Sequence, residues 1–196
     1  IMAIAFAIAL GIVSVSRLFA PIFWGEDFAP CAYILSALAL SIPFSGFANV
    51  IRMQYLIPNG MDGAYILSVI LGAVSNLTAN SLLIPRCGAL GAAVGTVIAE
   101  GVVCAAQCLA VKKRIDILAY LKSTAFFGMA GLLMYGAVRV LDQRAEITVS
   151  WLLLEIVVGG SVYCILYVLY LYHTKNELLM TALQKLGGAH QNNDRG

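Results

Sequence analysis

Six long apolar runs constrain this 196-residue chain more than any other feature of its sequence. The hydrocarbon core of a bilayer is about 30 Å thick and needs about 20 helical residues to cross it, because backbone groups left unpaired in lipid are costly. The runs that meet this length are residues 1–19, 29–50, 64–84, 89–111, 124–141 and 149–172. The sequence therefore predicts an all-α integral membrane protein with about six transmembrane helices.

Composition excludes several other classes of protein. Hydrophobic residues make up 61% of the chain and charged residues 11%, whereas soluble domains carry about 25% charged residues. The twelve basic residues form no dense patch that could neutralise phosphates, so no nucleic-acid partner is expected. The five cysteines show no metal-ligand spacing, and no nucleotide-binding loop or catalytic constellation can be assembled. We therefore predict no enzyme, no catalytic residue, no metal and no cofactor.

The basic residues also predict how the chain is oriented in the membrane. Alternate loops carry eight of them on one side, including the run Lys112, Lys113 and Arg114, and four on the other. Because Lys and Arg are retained on the cytoplasmic side, the C-terminus is predicted to be cytoplasmic. Residues 173–186 are predicted to form an amphipathic helix on that surface, and residues 187–196 a disordered tail.

Glu100 lies near the middle of the fourth predicted span. An ionised carboxylate at that depth costs at least about 2.5 kcal/mol, so its side chain should face a cavity, find a partner or be protonated. One interpretation is a cation or proton site coupled to transport. The other is a protonated glutamic acid that hydrogen-bonds a neighbouring helix.

The third predicted span carries a stripe of small and polar residues. Ser68, Gly72, Asn76 and Asn80 follow one another at intervals of four and therefore share one helix face. Such a face lines an aqueous path or packs against another helix through hydrogen bonds. Asn76 and Asn80 are accordingly candidate pathway residues.

A polar cluster ends the second predicted span. Asn49, Arg52 and Gln54 lie within six positions of one another, just before the loop that contains Pro58. The planar guanidinium of Arg52 suits bidentate phosphate binding, although a single interfacial arginine also serves as a topological anchor.

Three strings, PIFWGEDFAPCAYIL, QYLIPNG and NSLLIPRCGALGAAVGTVIAE, occur in this order and give the chain a family resemblance over residues 1–172. The chain resembles the C-terminal half of bacterial polysaccharide flippases, the O-antigen and capsule transporters of the multidrug/oligosaccharidyl-lipid/polysaccharide exporter superfamily. The most specific part runs from Ile84 through Gly88 and Gly95 to Glu100. The resemblance implies one six-helix lobe of a two-lobe flippase, similar in fold to the multidrug and toxin extruders (MATE-like).

The same resemblance implies a function. The complete protein would flip undecaprenyl-diphosphate-linked oligosaccharide across the bacterial cytoplasmic membrane by alternating access, for capsule, O-antigen or exopolysaccharide biosynthesis. Its partners would be the lipid-linked oligosaccharide, membrane lipids, an N-terminal lobe that this sequence lacks, and polysaccharide polymerases and glycosyltransferases. The sequence also leaves open a drug/ion antiporter of the same fold, a membrane-embedded enzyme of polysaccharide synthesis and a purely structural membrane subunit.

Overall fold

Helices form almost all of residues 1–143 and 146–173, which are the residues that the computed structural model describes. The predicted surface helix and tail fall outside these residues, except for His173, which ends the last helix. A short 3-10 helix at Glu26–Phe28 and a π-helical turn at Arg52–Leu56 join the longer elements. These are α1 (Met2–Trp24), α2 (Cys31–Ala39), α3 (Ser41–Ile51), α4 (Asp62–Val111), α5 (Ile117–Asp142) and α6 (Val149–His173).

The helix α4 is long enough to cross a membrane twice. Its 50 residues would extend about 75 Å if straight, more than twice the hydrocarbon thickness. At Gly88 the backbone adopts φ 56° and ψ −134°, a left-handed conformation that favours glycine, and the chain folds back. We call residues 62–87 the first arm and residues 89–111 the second arm. Five helices in the described residues are long and apolar enough to span a bilayer, and the two arms of α4 correspond to the third and fourth predicted spans.

Small residues bring the two arms of α4 into close contact. Gly72 faces Val103 and Ala99, and a Cβ atom on Gly91 would overlap the backbone of Leu83. Farther along the second arm, Gly95 lies against the side chain of Asn80. The small-residue surface of the second arm therefore serves to pack the hairpin.

The second span is divided into two helices. The chain breaks at Leu40, between α2 and α3, three residues before Pro43. Proline has no amide hydrogen to donate to the carbonyl four residues earlier, that of Ala39, and its ring crowds that carbonyl. Pro43 therefore accounts for a break about one turn before it.

The fifth helix begins earlier than the sequence predicts. The apolar pattern places its start at residue 124, whereas α5 starts at Ile117. The Asp116 side chain accepts a hydrogen bond from the backbone amide of Ala119 at 3.2 Å and so caps the helix. This cap adds two turns that the apolar pattern does not reveal, because Lys122 interrupts it.

The helix α1 lies at the centre and packs against α2, α3, α5 and α6, while α4 packs against α2 and α3. The two sets of predicted loops lie at opposite ends of this arrangement. Arg17 and Arg139 meet at one end through Asp142, and Arg114 approaches Met61 at the other. The assignment of the second end to the cytoplasm stays a prediction.

Candidate functional site

A cavity of about 800 Å³ lies between α1, α3 and the two arms of α4. The α1 wall is apolar and presents Ile1, Ile4 and Ile8. The opposite walls carry most of the polar groups, and these come from three separate segments of the chain. They are Ser41, Ser45, Asn49, Arg52, Tyr65, Glu100 and Gln107. One side of the cavity thus suits an apolar ligand group and the other a polar one.

Arg52 is fixed at the end of the cavity near the π-helical turn. Its Nη2 donates to Asn49 Oδ1 at 2.5 Å, and its Nη1 donates to the Tyr65 hydroxyl at 3.3 Å. The guanidinium carbon also lies 5.4 Å from the centre of the Tyr65 ring, within the range of a cation–π contact. These neutral partners orient the guanidinium and leave its positive charge uncompensated.

Arg52 is only partly paired in the described part of the chain. Its Nε is buried and has no hydrogen-bond partner, and no ion pair to Arg52 forms within residues 1–143 and 146–173. A buried donor without a partner costs about 1–3 kcal/mol. Because Nε is buried, a ligand in the cavity would contact the remainder of the half-buried Arg52 side chain, which lines the cavity. An oriented guanidinium without a carboxylate is the arrangement that binds phosphate.

Gln107 ties the cavity wall to the first arm of α4. Its Nε2 donates to Ser68 Oγ at 3.1 Å, and Ser68 donates in turn to the carbonyl of Tyr65 at 2.6 Å. Gln107 is only 2% exposed, and its Oε1 is buried without a partner. The side chain therefore holds the two arms of α4 together beside the cavity, and its Oε1 is enclosed by the protein.

Glu100 faces the cavity from the second arm. It lies eleven residues before Val111, which places it about 16 Å along the helix axis from that end. No side chain in the described part of the protein hydrogen-bonds its carboxylate, which is half-buried. An acidic group at mid-depth and a cation near one end thus line the same cavity.

The structure brings together three of the six residues singled out from the sequence. Asn49, Arg52 and Glu100 line the cavity. Gln54 lies outside it, in a separate pocket of about 140 Å³ bordered by Tyr55 and Tyr120. The cavity and the Gln54 pocket therefore have no candidate residue in common.

The two asparagines of the stripe also lie outside the cavity. Asn80 Nδ2 donates to Asn76 Oδ1 at 2.9 Å, and Asn80 lies against Gly95 of the second arm. Ser68 and Gly72, on the same helix face, likewise contact the second arm. Along its length the stripe packs the hairpin, and its members Ser68 and Gly72 contact Gln107 and Val103, which line the cavity.

Two residues of the cavity escape reasoning from the sequence. Tyr65 resembles an ordinary apolar residue at the start of a span, and Gln107 a single amide near the end of another. A signal exists for Gln107, since an amide within an apolar span needs a partner and the stripe offers Ser68. Only the fold-back at Gly88 places the two side chains at the same depth.

Comparison with known proteins identifies the fold. No protein-family profile and no curated protein matches the sequence. A solved structure described as lipid II flippase MurJ, in an inward closed conformation, matches with a TM-score of 0.75 over 89% of this chain. The match covers 38% of the flippase chain, and the sequences are 19% identical. The chain is therefore a multi-pass membrane protein with the fold of part of a lipid flippase, and the fold-class prediction is confirmed.

Proposed function

We propose that this chain is one lobe of a transporter that flips undecaprenyl-diphosphate-linked oligosaccharide for capsule, O-antigen or exopolysaccharide biosynthesis. The observation that carries the proposal is a cavity of about 800 Å³ in a chain with the fold of part of a lipid flippase. Glu100 and Arg52 both line this cavity, and Arg52 is oriented by hydrogen bonds but has no ion-pair partner in the described residues. The substrate would enter from the cytoplasmic leaflet, and rocking of two lobes would open the cavity to the other side.

The position of Arg52 supports the diphosphate part of this proposal. The diphosphate of a polyprenyl lipid lies at the membrane interface, and Arg52 directly follows α3 as the first residue of the π-helical turn. Its Nη groups, which Asn49 and Tyr65 hold at the cavity wall, can donate further hydrogen bonds to phosphate oxygens. Arg52 would therefore fix the diphosphate.

The two kinds of wall support a substrate with an oligosaccharide head and a polyprenyl tail. Hydroxyl and amide groups of Ser41, Ser45 and Asn49 can exchange hydrogen bonds with sugar hydroxyls. The isoleucines of α1 offer no such groups and suit the isoprenoid chain next to the diphosphate. A compact drug would not need this division, which favours the lipid-linked substrate over the antiporter alternative.

The proposal implies several partners. A second lobe would close the cavity from the side of α1, membrane lipids would surround the helices, and polysaccharide polymerases and glycosyltransferases would use or supply the lipid-linked sugar. The membrane would be the bacterial cytoplasmic membrane, with the KKR run at residues 112–114 on the cytoplasmic side.

Deletion of the complete gene tests the function. We expect lipid-linked oligosaccharide to accumulate in the cytoplasmic leaflet, as measured with radiolabelled sugar, and surface glycan to decrease. Complementation with the intact gene should restore both. Normal surface glycan combined with increased drug sensitivity would instead identify an antiporter, and unlabelled lipid carrier would point to an enzyme acting earlier.

Replacing Glu100 with Gln tests the role of the mid-depth acid. The substitution keeps the size of the side chain and removes its negative charge, so we expect export to fall about tenfold, corresponding to about 1.4 kcal/mol. Export is measured per amount of protein in the membrane. Glu26→Gln, which changes an exposed acid far from the cavity, is the control and should leave export unchanged. Full export by Glu100→Gln would remove Glu100 from the transport mechanism.

A further inference from the structure

A second charged cluster lies at the end of the helices opposite Arg52. Arg17 of α1 and Arg139 of α5 each donate through Nη1 to the same oxygen, Oδ2 of Asp142, at 3.0 and 2.9 Å. Asp142 is 3% exposed, and its other oxygen, Oδ1, is buried without a hydrogen-bond partner. Two guanidinium groups therefore share one oxygen of a single carboxylate.

Glu155 of α6 is buried beside this cluster. It is 1% exposed, and both of its carboxyl oxygens are buried without a hydrogen-bond partner in the described part of the chain. It borders a cavity of about 400 Å³ between α1, α5 and α6, whose walls are mostly aliphatic side chains and glycines. An ionised carboxylate without donors in such surroundings is costly, so the arrangement fits the protonated acid.

The charges around Glu155 come from both helices that pack against α6. Arg17 on α1, and Arg139 and Asp142 on α5, act on it electrostatically. On α6 itself, Tyr163 and Cys164 border the same cavity, and the Tyr163 hydroxyl donates to the carbonyl of Ala3 at 2.7 Å. With Glu155 neutral, the two arginines and Asp142 carry a net charge of +1.

Ionisation of Glu155 would bring the net charge of the cluster to zero. Arg17 is the group free to respond, since its side chain is 58% exposed, whereas Arg139 is also held by the Tyr135 hydroxyl at 2.8 Å. If Arg17 moves from Asp142 to Glu155, Asp142 keeps Arg139 as its partner. Each carboxylate then has one guanidinium, and no charge is left unpaired.

The geometry points to Glu155 as a reversible proton-binding site, which releases its proton to water as Arg17 leaves Asp142 to pair with the resulting carboxylate. The site lies outside the cavity that contains Arg52 and does not depend on which molecule that cavity carries. Glu155 is thus a proton-responsive group at the junction of α1, α5 and α6.

Labelling with a hydrophobic carbodiimide tests this site in the complete protein reconstituted in phospholipid vesicles. Such reagents react with protonated carboxyl groups in apolar surroundings, and mass spectrometry locates the adduct. We expect modification of Glu155 at acidic pH and its loss at alkaline pH. Glu155→Gln should abolish this adduct, while the control Glu100→Gln should retain it with the same pH dependence.

Arg17→Gln separates a proton switch from a merely buried acid. Removing the cation that receives the ionised form should move the midpoint of labelling toward alkaline pH by about one unit. Labelling that does not change with pH, no labelling at any pH, or an unchanged midpoint in Arg17→Gln would overturn the proposal. Protection by Na⁺ at constant pH would also overturn it in favour of a metal-ion site. Export activity enters none of these measurements, so they remain informative if the flippase proposal fails.

Discussion

Arg52→Ala in the complete protein is expected to reduce export of lipid-linked oligosaccharide about ten- to a hundredfold. Hydrogen bonds to a charged group contribute about 1.5–3 kcal/mol, and each 1.4 kcal/mol changes an equilibrium about tenfold. The variant removes the oriented guanidinium and leaves Asn49 and Tyr65 without their shared donor. Radiolabelled lipid-linked sugar in each leaflet, divided by the amount of membrane-inserted protein, measures the effect.

Two further variants interpret that result. Arg52→Lys keeps the positive charge and loses the forked donor geometry, so we expect a loss smaller than that of Arg52→Ala. Lys113→Ala removes an exposed cation outside the cavity and should export normally. If Arg52→Ala exports at the wild-type rate, Arg52 is a topological anchor and the diphosphate contact is wrong.

Gly91→Ala is expected to destabilise the fold by about 1–3 kcal/mol, the typical cost of inserting a methyl group into a closely packed contact. The new Cβ atom would overlap the backbone carbonyl of Leu83 and approach the amide of Ile84 at 3.0 Å. Backbone cannot move aside as a flexible side chain can, so the arms of α4 must separate. Thermal unfolding in detergent, followed by the fluorescence of Trp24 and Trp151, should show a lower midpoint.

Gly101→Ala is the matched control, because it lies on the same arm and, apart from its chain neighbours and the adjacent backbone of its own helix, no heavy atom in the described residues lies within 4 Å of its new methyl group. Alanine also has the higher helix propensity, so this variant should unfold at the same temperature or slightly above. Equal midpoints for the two variants would show that the arms of α4 do not depend on close contact at Gly91.

The positions of the spans could be predicted from the sequence because lipid imposes a length and a composition that few other environments require. The fold-back of α4 was also predictable, since Pro85, Gly88 and the small residues after them separate two apolar runs. The ends of the helices were harder to predict from the sequence. The cap at Asp116 extends α5 across Lys122, where hydrophobicity alone indicates a loop.

The candidate site was only half predictable, for a physical reason. Asn49 and Arg52 are neighbours in sequence, so their hydrogen bond follows from helix geometry alone. The meeting of Gln107 with Ser68 depends on how two arms pair, and a stripe of polar residues looks the same whether it faces water or another helix. Asn76 and Asn80 illustrate this ambiguity, because their side chains bond to each other beside the second arm.

The surroundings of Glu155 could not be predicted from its position along α6. A carboxyl group six residues into α6 could extend to the headgroups, and nothing in the local sequence opposes this. Its burial results from packing against α1 and α5, and α1 is distant from it in the sequence order of the spans. The partners of a membrane acid are therefore set by tertiary contacts that a single sequence does not display.

Because the span breaks at Leu40, a tilt of α3 at that point would move Arg52, which follows the far end of α3. The first half of the span, α2, contacts α1 where the hydroxyls of Ser16 and Ser36 lie 2.8 Å apart. The twelve residues from Leu40 to Arg52 measure about 18 Å along the axis, so a tilt of about 10° at the break swings the guanidinium through an arc of about 3 Å. That distance is about one hydrogen-bond length, so such a tilt would make or break a hydrogen bond of Arg52 while α2 stays in place.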